Sequence, residues 1–318
     1  MYNIEAYYFC GLIYAVTIWV SQERGEGMHR FLRSIGFSKY KEKRDVEILL
    51  DEMEDKAVSI RQIQIDEDTT LCEIRGEAAP GMGVVMVGVM DDTNTFKREY
   101  YYPYLINHEF SSEMECTVQR HTEKETYAGL LDEFRVGITL IFYLENGFEY
   151  HKRKVEHFSR QIISVNLSGL CNSGKILLPL HKTRKQIEKA QVAAKDRSTL
   201  LEAAKNGDED AMETLTIEDI DMYSQISRRV MKEDIYSIVD SSFMPCGIEC
   251  DQYTIIGEIV EVETKENQIT GELVYDLALN CNDLKFHVGI NKMDLLGEPR
   301  VGRRFKGQIW MQGTAIFD

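Results

Sequence analysis

Two stretches near the carboxyl end alternate apolar and polar side chains, and this period of two constrains the fold more than any other feature of the chain. They span residues 273–279 and 284–290, with a short polar turn between them. Because successive side chains of a strand point to opposite faces, each stretch predicts a half-buried strand. The patterns at 253–263 and 303–312 predict two more strands. The row expected to be buried contains Leu277, Leu279, Phe286, Val288 and Ile309.

Residues 241–318 are therefore predicted to form a small closed β-barrel, which could be of the OB type. A closed barrel has no exposed edge strands, and a segment this short cannot build a larger core. We expect it to pack on the segment before it, residues 181–240, whose apolar spacing predicts a helical connector.

The first half of the chain also contains strand patterns separated by short turns. Residues 83–89 are apolar on both faces, as in a central strand, and Asn146-Gly147 predicts a hairpin turn. Two strands are expected at 161–167 and 175–180. Strands joined by short turns pair antiparallel, so residues 28–180 are predicted to be an α+β domain with a mostly antiparallel sheet. Its main helices are predicted at 41–54 and 125–134.

The charge of the chain limits its partners. It has 37 Lys and Arg against 53 Asp and Glu, so its net charge is −16, which argues against general nucleic-acid binding. Residues 151–205 are the exception, because 12 basic against 4 acidic residues give them a net charge of +8. They are either neutralised by residues 206–240, which hold 3 basic and 10 acidic residues, or free to bind an outside anion.

The cysteines point to a reducing compartment and to no metal site. Seven are scattered along the chain, which suits reduced thiols of a cytoplasmic protein. Cys246, Cys250, Cys281 and His287 lack the tight paired spacing of a zinc site. No glycine motif for a nucleotide or dinucleotide is present either, so we expect neither a metal nor a cofactor.

Residues 1–27 differ from the rest of the chain. The apolar run at 6–20 is too short for a transmembrane helix, and no basic residue precedes it as in a signal peptide. Residues 22–27 can be encoded almost wholly in purines, like a bacterial ribosome-binding site placed before a start codon at Met28. We expect residues 1–27 to be translated leader, the alternative being a short membrane anchor. A membrane partner is otherwise not expected.

One strand face of the predicted barrel carries candidate ligand-binding side chains. It lies opposite the apolar row and groups basic residues with one aromatic ring, as on a platform for single-stranded nucleic acid or another anion. Its members are Lys285, His287, Arg304, Lys306 and Trp310. The alternative is a solvated wall with Trp310 buried against the connector.

Two classes of function follow. The first is a non-enzymatic binding or assembly protein that uses the barrel and the basic 151–205 segment, with a protein or an anion as its partner. The second is an enzyme with a site in the first domain near His108 and Glu109, a neighbouring pair able to transfer protons. A converging pocket of titratable groups within 28–180 would favour the enzyme, and a flat basic and aromatic face would favour the binding protein.

Two segments carry a resemblance to a known family. The opening MHRFLRSIGFSKY and the ending GEPRVGRRFKGQIWMQG resemble an uncharacterised family of clostridial proteins, a domain of unknown function. The likeness runs from Met28 to the carboxyl end. It implies no activity, cofactor or catalytic residue.

Overall fold

The structure is a computed structural model. It describes residues 29–66, 69–91, 93, 95–109, 111–120, 126–180, 192, 193, 196, 197, 199–201, 203, 204, 206–248 and 250–318. The expected leader, residues 1–27, lies outside the described residues, as does most of the second half of the basic segment. Among the described residues, none of the helices has the length and apolar character needed to cross a membrane.

The first sheet has four strands in the order β1-β2-β3-β4, each antiparallel to the next. The strands are β1 (Ser59–Gln64), β2 (Thr70–Ala79), β3 (Met82–Met90) and β4 (Phe96–Leu105). The turn from β2 to β3 passes through Gly81, whose φ of 71° favours glycine. Strand β3 has seven buried residues in succession from Met82, as its apolar sequence predicts for a central strand.

Two helices pack against this sheet, and the first of them also contacts the second sheet. A 3₁₀ helix (Arg30–Ile35) buries Phe31, Leu32 and Ile35, and helix α1 (Lys43–Asp55) buries one apolar stripe. The stripe consists of Val46, Leu49, Leu50 and Met53. Helix α1 lies so close to β2 that a Cβ on Gly76 would be 2.7 Å from the Cβ of Met53.

The second sheet has ten strands and runs β13-β8-β12-β11-β10-β14-β7-β6-β5, with β9 paired to β10 and β8 also paired to β14. The pairings β8–β12, β8–β13 and β7–β14 are parallel, and the others are antiparallel. The strands are β5 (Cys116–Arg120), β6 (Tyr127–Glu133), β7 (Ile138–Leu144), β8 (Ile162–Leu177), β9 (Ser242–Pro245), β10 (Gln252–Glu266), β11 (Leu273–Cys281), β12 (Leu284–Asn291), β13 (Leu295–Leu296) and β14 (Arg304–Phe317).

The remaining helices connect these strands. They are α2 (Gly147–Val155), α3 (Glu209–Val230), α4 (Ile235–Ile238) and a second 3₁₀ helix (Lys292–Asp294). The chain is thus mostly β, with mainly antiparallel sheets and several helices, as predicted. The expected core row, Leu277, Leu279, Phe286, Val288 and Ile309, is fully buried in the second sheet.

Three local predictions are wrong. The segment predicted as helix 125–134 is strand β6, because it pairs with β5 along one edge and with β7 along the other. Gly147 begins helix α2 instead of closing a hairpin. The two strands expected at 161–167 and 175–180 are one long strand, β8, which pairs with both β12 and β14. The predicted boundaries at 180 and 241 therefore do not separate the sheets, since β8 precedes both of them and belongs with the carboxyl-terminal strands.

Candidate binding site

The five residues of the predicted face do not share one exposed surface. Lys285 is exposed on β12, His287 and Lys306 are half-buried, and Arg304 and Trp310 are buried at 4% and 6% exposure. Each points away from the apolar row, as the alternation predicts. Other parts of the chain then cover two of them.

Trp310 is covered by the amino-terminal 3₁₀ helix. Its ring stacks on Phe31 with centroids 5.5 Å apart, lies 5.3 Å from Tyr143, and its Nε1 donates a hydrogen bond of 2.7 Å to Asp251 Oδ2. A base could reach the indole only if this helix moved away. The expectation that Trp310 stacks on a nucleic-acid base therefore has no support in its position.

The side chain of Arg304 forms hydrogen bonds with the main chain of other segments. Its guanidinium donates to the carbonyl oxygens of Leu178, at 2.9 and 3.0 Å, and of Tyr236, at 2.7 Å. Burial lowers its pKa. The guanidinium also donates to the carbonyl oxygen of Val239, so Arg304 ties helix α4 to the end of β8.

His287 belongs to a compensated cluster. Its Nδ1 lies 2.8 Å from Asp276 Oδ1, and Lys265 Nζ lies 2.8 Å from Asp276 Oδ2. Burial opposes protonation of His287, but the hydrogen bond and charge of Asp276 outweigh it, so the pKa of His287 is raised. The carboxylate of Glu109 adds to this shift.

The alternative pair, His108 and Glu109, lies on an exposed turn after β4. The Glu109 amide donates to Asn107 Oδ1 at 2.7 Å, which fixes the turn. The charge of Glu109 raises the pKa of His287. Among the residues that the structure describes, the side chains of His108 and Glu109 form no cluster with a nucleophile.

A different group of side chains forms an open cleft on the second sheet. Lys306 in β14 is paired directly with Lys175 in β8, and the ring of Tyr236 in α4 lies over both. The ring centroid is 4.4 Å from Lys306 Nζ and 4.7 Å from Lys175 Nζ. Lys306 Nζ also donates a hydrogen bond to the Tyr236 hydroxyl, and this lowers the pKa of Tyr236.

We call this cleft the lysine trough, and its volume is about 490 Å³. Thr254 and Gln308, paired directly on β10 and β14, supply a hydroxyl and an amide to its floor. One rim consists of Met293 and Leu296, which are 65% and 75% exposed. At the end of the trough Asp294 is held by Arg33 through hydrogen bonds of 2.5 and 2.6 Å.

The charge of the lysine trough is not balanced from within. In the part of the chain that the structure describes, no carboxylate lies within 4.0 Å of the ammonium group of Lys175 or Lys306. Asp294, the acid that lines the trough, is occupied by Arg33. The expected neutralisation of the basic segment by residues 206–240 is seen at Arg197, whose guanidinium lies 3.8 Å from Glu218, but not at Lys175.

A second polar cluster lies between the first sheet and helix α2. Arg75 binds Glu73 at 3.0 Å and Glu145 at 2.5 Å, and Arg61 binds Glu73 as well. We call these four residues the Arg75 cluster. Burial opposes the charge of Arg75, but the two carboxylates outweigh it and raise its pKa.

A small cavity borders the Arg75 cluster. It is lined by Glu73, Tyr102, Tyr127 and His151, and the Tyr127 hydroxyl lies 2.8 Å from His151 Nδ1. Its volume of about 10 Å³ holds roughly one water molecule. This is the converging pocket of titratable groups that would favour an enzyme, but a substrate does not fit in it.

Comparison with known proteins identifies a family. A family model described as "Domain of unknown function, E. rectale Gene description (DUF3881)" matches residues 32–313. No curated protein and no solved structure matches the chain. The residues that line the lysine trough lie between Ser173 and Gln308, so all of them are within the matched residues.

Proposed function

This chain belongs to that family of domains of unknown function, described from E. rectale, and we propose that it is a non-enzymatic binding protein that holds an anionic ligand in the lysine trough. The ligand's phosphate or carboxylate oxygens would accept hydrogen bonds from Lys175 and Lys306. Thr254 and Gln308 would supply further donors on the floor.

One observation carries the proposal: two lysines are paired directly across neighbouring strands, and no carboxylate of the described residues lies within 4.0 Å of their ammonium groups. Directly paired residues have Cα atoms about 4.5–5.5 Å apart, and like charges at that distance destabilise a sheet. The chain has 53 acidic residues, so a neutralising partner would be easy to place. A bound anion would offset the repulsion that the fold leaves in this position.

The proposal extends to the architecture that carries the trough. Strand β8 pairs with β12 and β14, and β10 and β11 complete the circuit between them. We propose that these five strands close into the small barrel, of the OB type or similar, that the alternation predicts. Its first strand would then come from before the helical connector, and the trough would lie on its outer wall.

The experiment is a calorimetric titration with inorganic pyrophosphate at low ionic strength. We expect wild-type protein to bind it with a Kd of about 1 mM or below. Replacing Lys306 by Met keeps an apolar stem of similar length and removes one ammonium group, so Lys306→Met should weaken binding about tenfold or more. Lys175→Met should do the same.

Lys285→Met is the matched control. It removes one exposed lysine from β12, outside the trough, and changes the net charge by the same amount. Its affinity for pyrophosphate should match that of the wild type. Equal losses of affinity in all three variants would mean that binding depends only on the net charge of the protein. The absence of binding to the wild type would refute the proposal.

A further inference from the structure

The lining of the lysine trough indicates what kind of anion it holds. Building on the proposed function, we infer that the ligand is a small amphiphile, in which a phosphate or carboxylate head group is joined to a short apolar tail. The head group binds at the two lysines, and the tail lies on the rim formed by Met293 and Leu296.

Strand register places the charged and apolar side chains next to each other. Lys306 pairs with Lys175, and Lys175 pairs with Leu296 in β13, so the three lie in one row across β14, β8 and β13. Directly paired residues present their side chains on the same face of a sheet. A ligand that touches Lys175 is therefore within reach of Leu296.

The apolar side chains of the rim are exposed. Met293 is 65% exposed and Leu296 is 75% exposed, although both line a concave surface. Scattered apolar side chains on a protein surface need no explanation, but apolar side chains grouped beside convergent polar groups are typical of ligand sites. A polar anion such as free phosphate would leave this rim in contact with water.

The polar floor suits a head group with several oxygens. Thr254 and Gln308 form the next row of paired residues, two positions along the strands from Lys306. Gln308 Nε2 is 3.3 Å from Gln252 Oε1, a long hydrogen bond that a ligand oxygen could replace. Ammonium groups, a hydroxyl and an amide thus surround one end of the trough, and the apolar rim forms one side.

The ligand is a free molecule and not the head group of a membrane lipid. The two lysines lie on the floor of the trough with the rim and Tyr236 beside them, and the chain as a whole carries a net charge of −16. An anionic membrane would repel that charge, whereas a single molecule is small enough to enter the trough.

The test is a series of alkyl phosphates titrated into the full chain, from methyl phosphate through butyl to hexyl phosphate. Burial of a methylene group should raise affinity about fourfold if it is complete and about twofold if it is half complete. Leu296→Ser should flatten this dependence on tail length and leave the affinity for methyl phosphate unchanged. Lys306→Met should lower the affinity for every member of the series by the same factor.

Val301→Ser is the matched control, because Val301 is 67% exposed outside the trough. It should keep the wild-type dependence on tail length. If methyl phosphate binds and longer tails bind no better, the amphiphile inference is overturned while the proposed function stands. If no alkyl phosphate and no pyrophosphate binds, both are overturned. Binding to phosphatidate vesicles without binding to hexyl phosphate would overturn the free-molecule assignment.

Discussion

The Arg75 cluster and the lysine trough are both groups of ionisable side chains on strand faces, but they balance charge in opposite ways. In the Arg75 cluster two guanidinium groups meet two carboxylates, and the charges sum to zero inside the fold. In the lysine trough two ammonium groups stand side by side with one phenol ring. The first arrangement is compensated within the fold, whereas in the second no carboxylate of the described residues lies within 4.0 Å of either ammonium group.

Burial separates the two regions further. Glu73 and Glu145 have side chains that are 1% and 4% exposed, and the cavity beside them holds about one water molecule. The trough is open and about 490 Å³ in volume. Buried charges that are paired with each other are typical of a structural role, whereas like charges that converge in an open cleft are typical of a binding site.

The largest expected effect would break the Arg75 cluster. Arg75→Met leaves Glu73 with Arg61 and removes the guanidinium that binds Glu145. Breaking a buried pair in this way costs about 3–5 kcal/mol of unfolding free energy. Urea denaturation measures the loss. Arg300→Met is the control, because Arg300 and Glu298 form an exposed pair, and it should cost about 0.5 kcal/mol or less.

A double variant distinguishes the loss of charge balance from a general failure to fold. Arg75→Met combined with Glu145→Gln removes one charge of each sign, so it should recover part of the lost stability. A loss below about 1 kcal/mol for Arg75→Met alone would show that the cluster is not the structural centre that its burial indicates.

The second prediction applies the same measurement to the trough without ligand. Lys175→Met removes a like charge opposite Lys306, which favours folding, and a contact with the Tyr236 ring, which opposes it. Each contribution is about 0.5–1 kcal/mol, so the unfolding free energy should stay within about 0.5 kcal/mol of wild type. A loss comparable to that of Arg75→Met would place Lys175 among the structural charges and remove the contrast between the two regions.

The sequence predicted those parts of the fold in which neighbouring residues decide the outcome. The buried stripe of α1 and the buried row through Leu277 and Phe286 follow from local periodicity alone. Residues 127–133 show the limit of that reasoning. Their apolar spacing fits a helix, yet they form a strand because they pair with β5 on one side and β7 on the other. The local sequence pattern does not predict that pairing.

The candidate site depended on contacts that the sequence does not reveal. Alternation placed Trp310 and Lys306 opposite the apolar row through Ile309, but Trp310 lies in the other hydrophobic core, where Phe31 from the far end of the chain covers it. Lys175 was predicted only as part of the basic 151–205 segment, and Tyr236 was not predicted to be a site residue. They reach Lys306 only because β8 pairs with β14 and because Arg304 anchors α4 beside that pair.

The smallest expected effect concerns the pKa of Tyr236, which depends directly on the ammonium charges in the trough. The hydrogen bond from Lys306 lowers the pKa of Tyr236 below its ordinary value, and the ammonium charges of Lys306 and Lys175 act in the same direction. Lys306→Met should therefore raise the pKa of Tyr236 toward 10, the ordinary value for tyrosine, and Lys285→Met should not change it. The measurement is the titration of the ¹³Cζ resonance of labelled tyrosine, with Tyr236→Phe used to assign it among the 16 tyrosines of the chain.

Pyrophosphate bound at the two lysines would add negative charge beside the phenol, so it should also raise the pKa of Tyr236 in wild-type protein. A pKa that responds to Lys306→Met but not to pyrophosphate would show that the anion binds elsewhere, even if calorimetry detects binding.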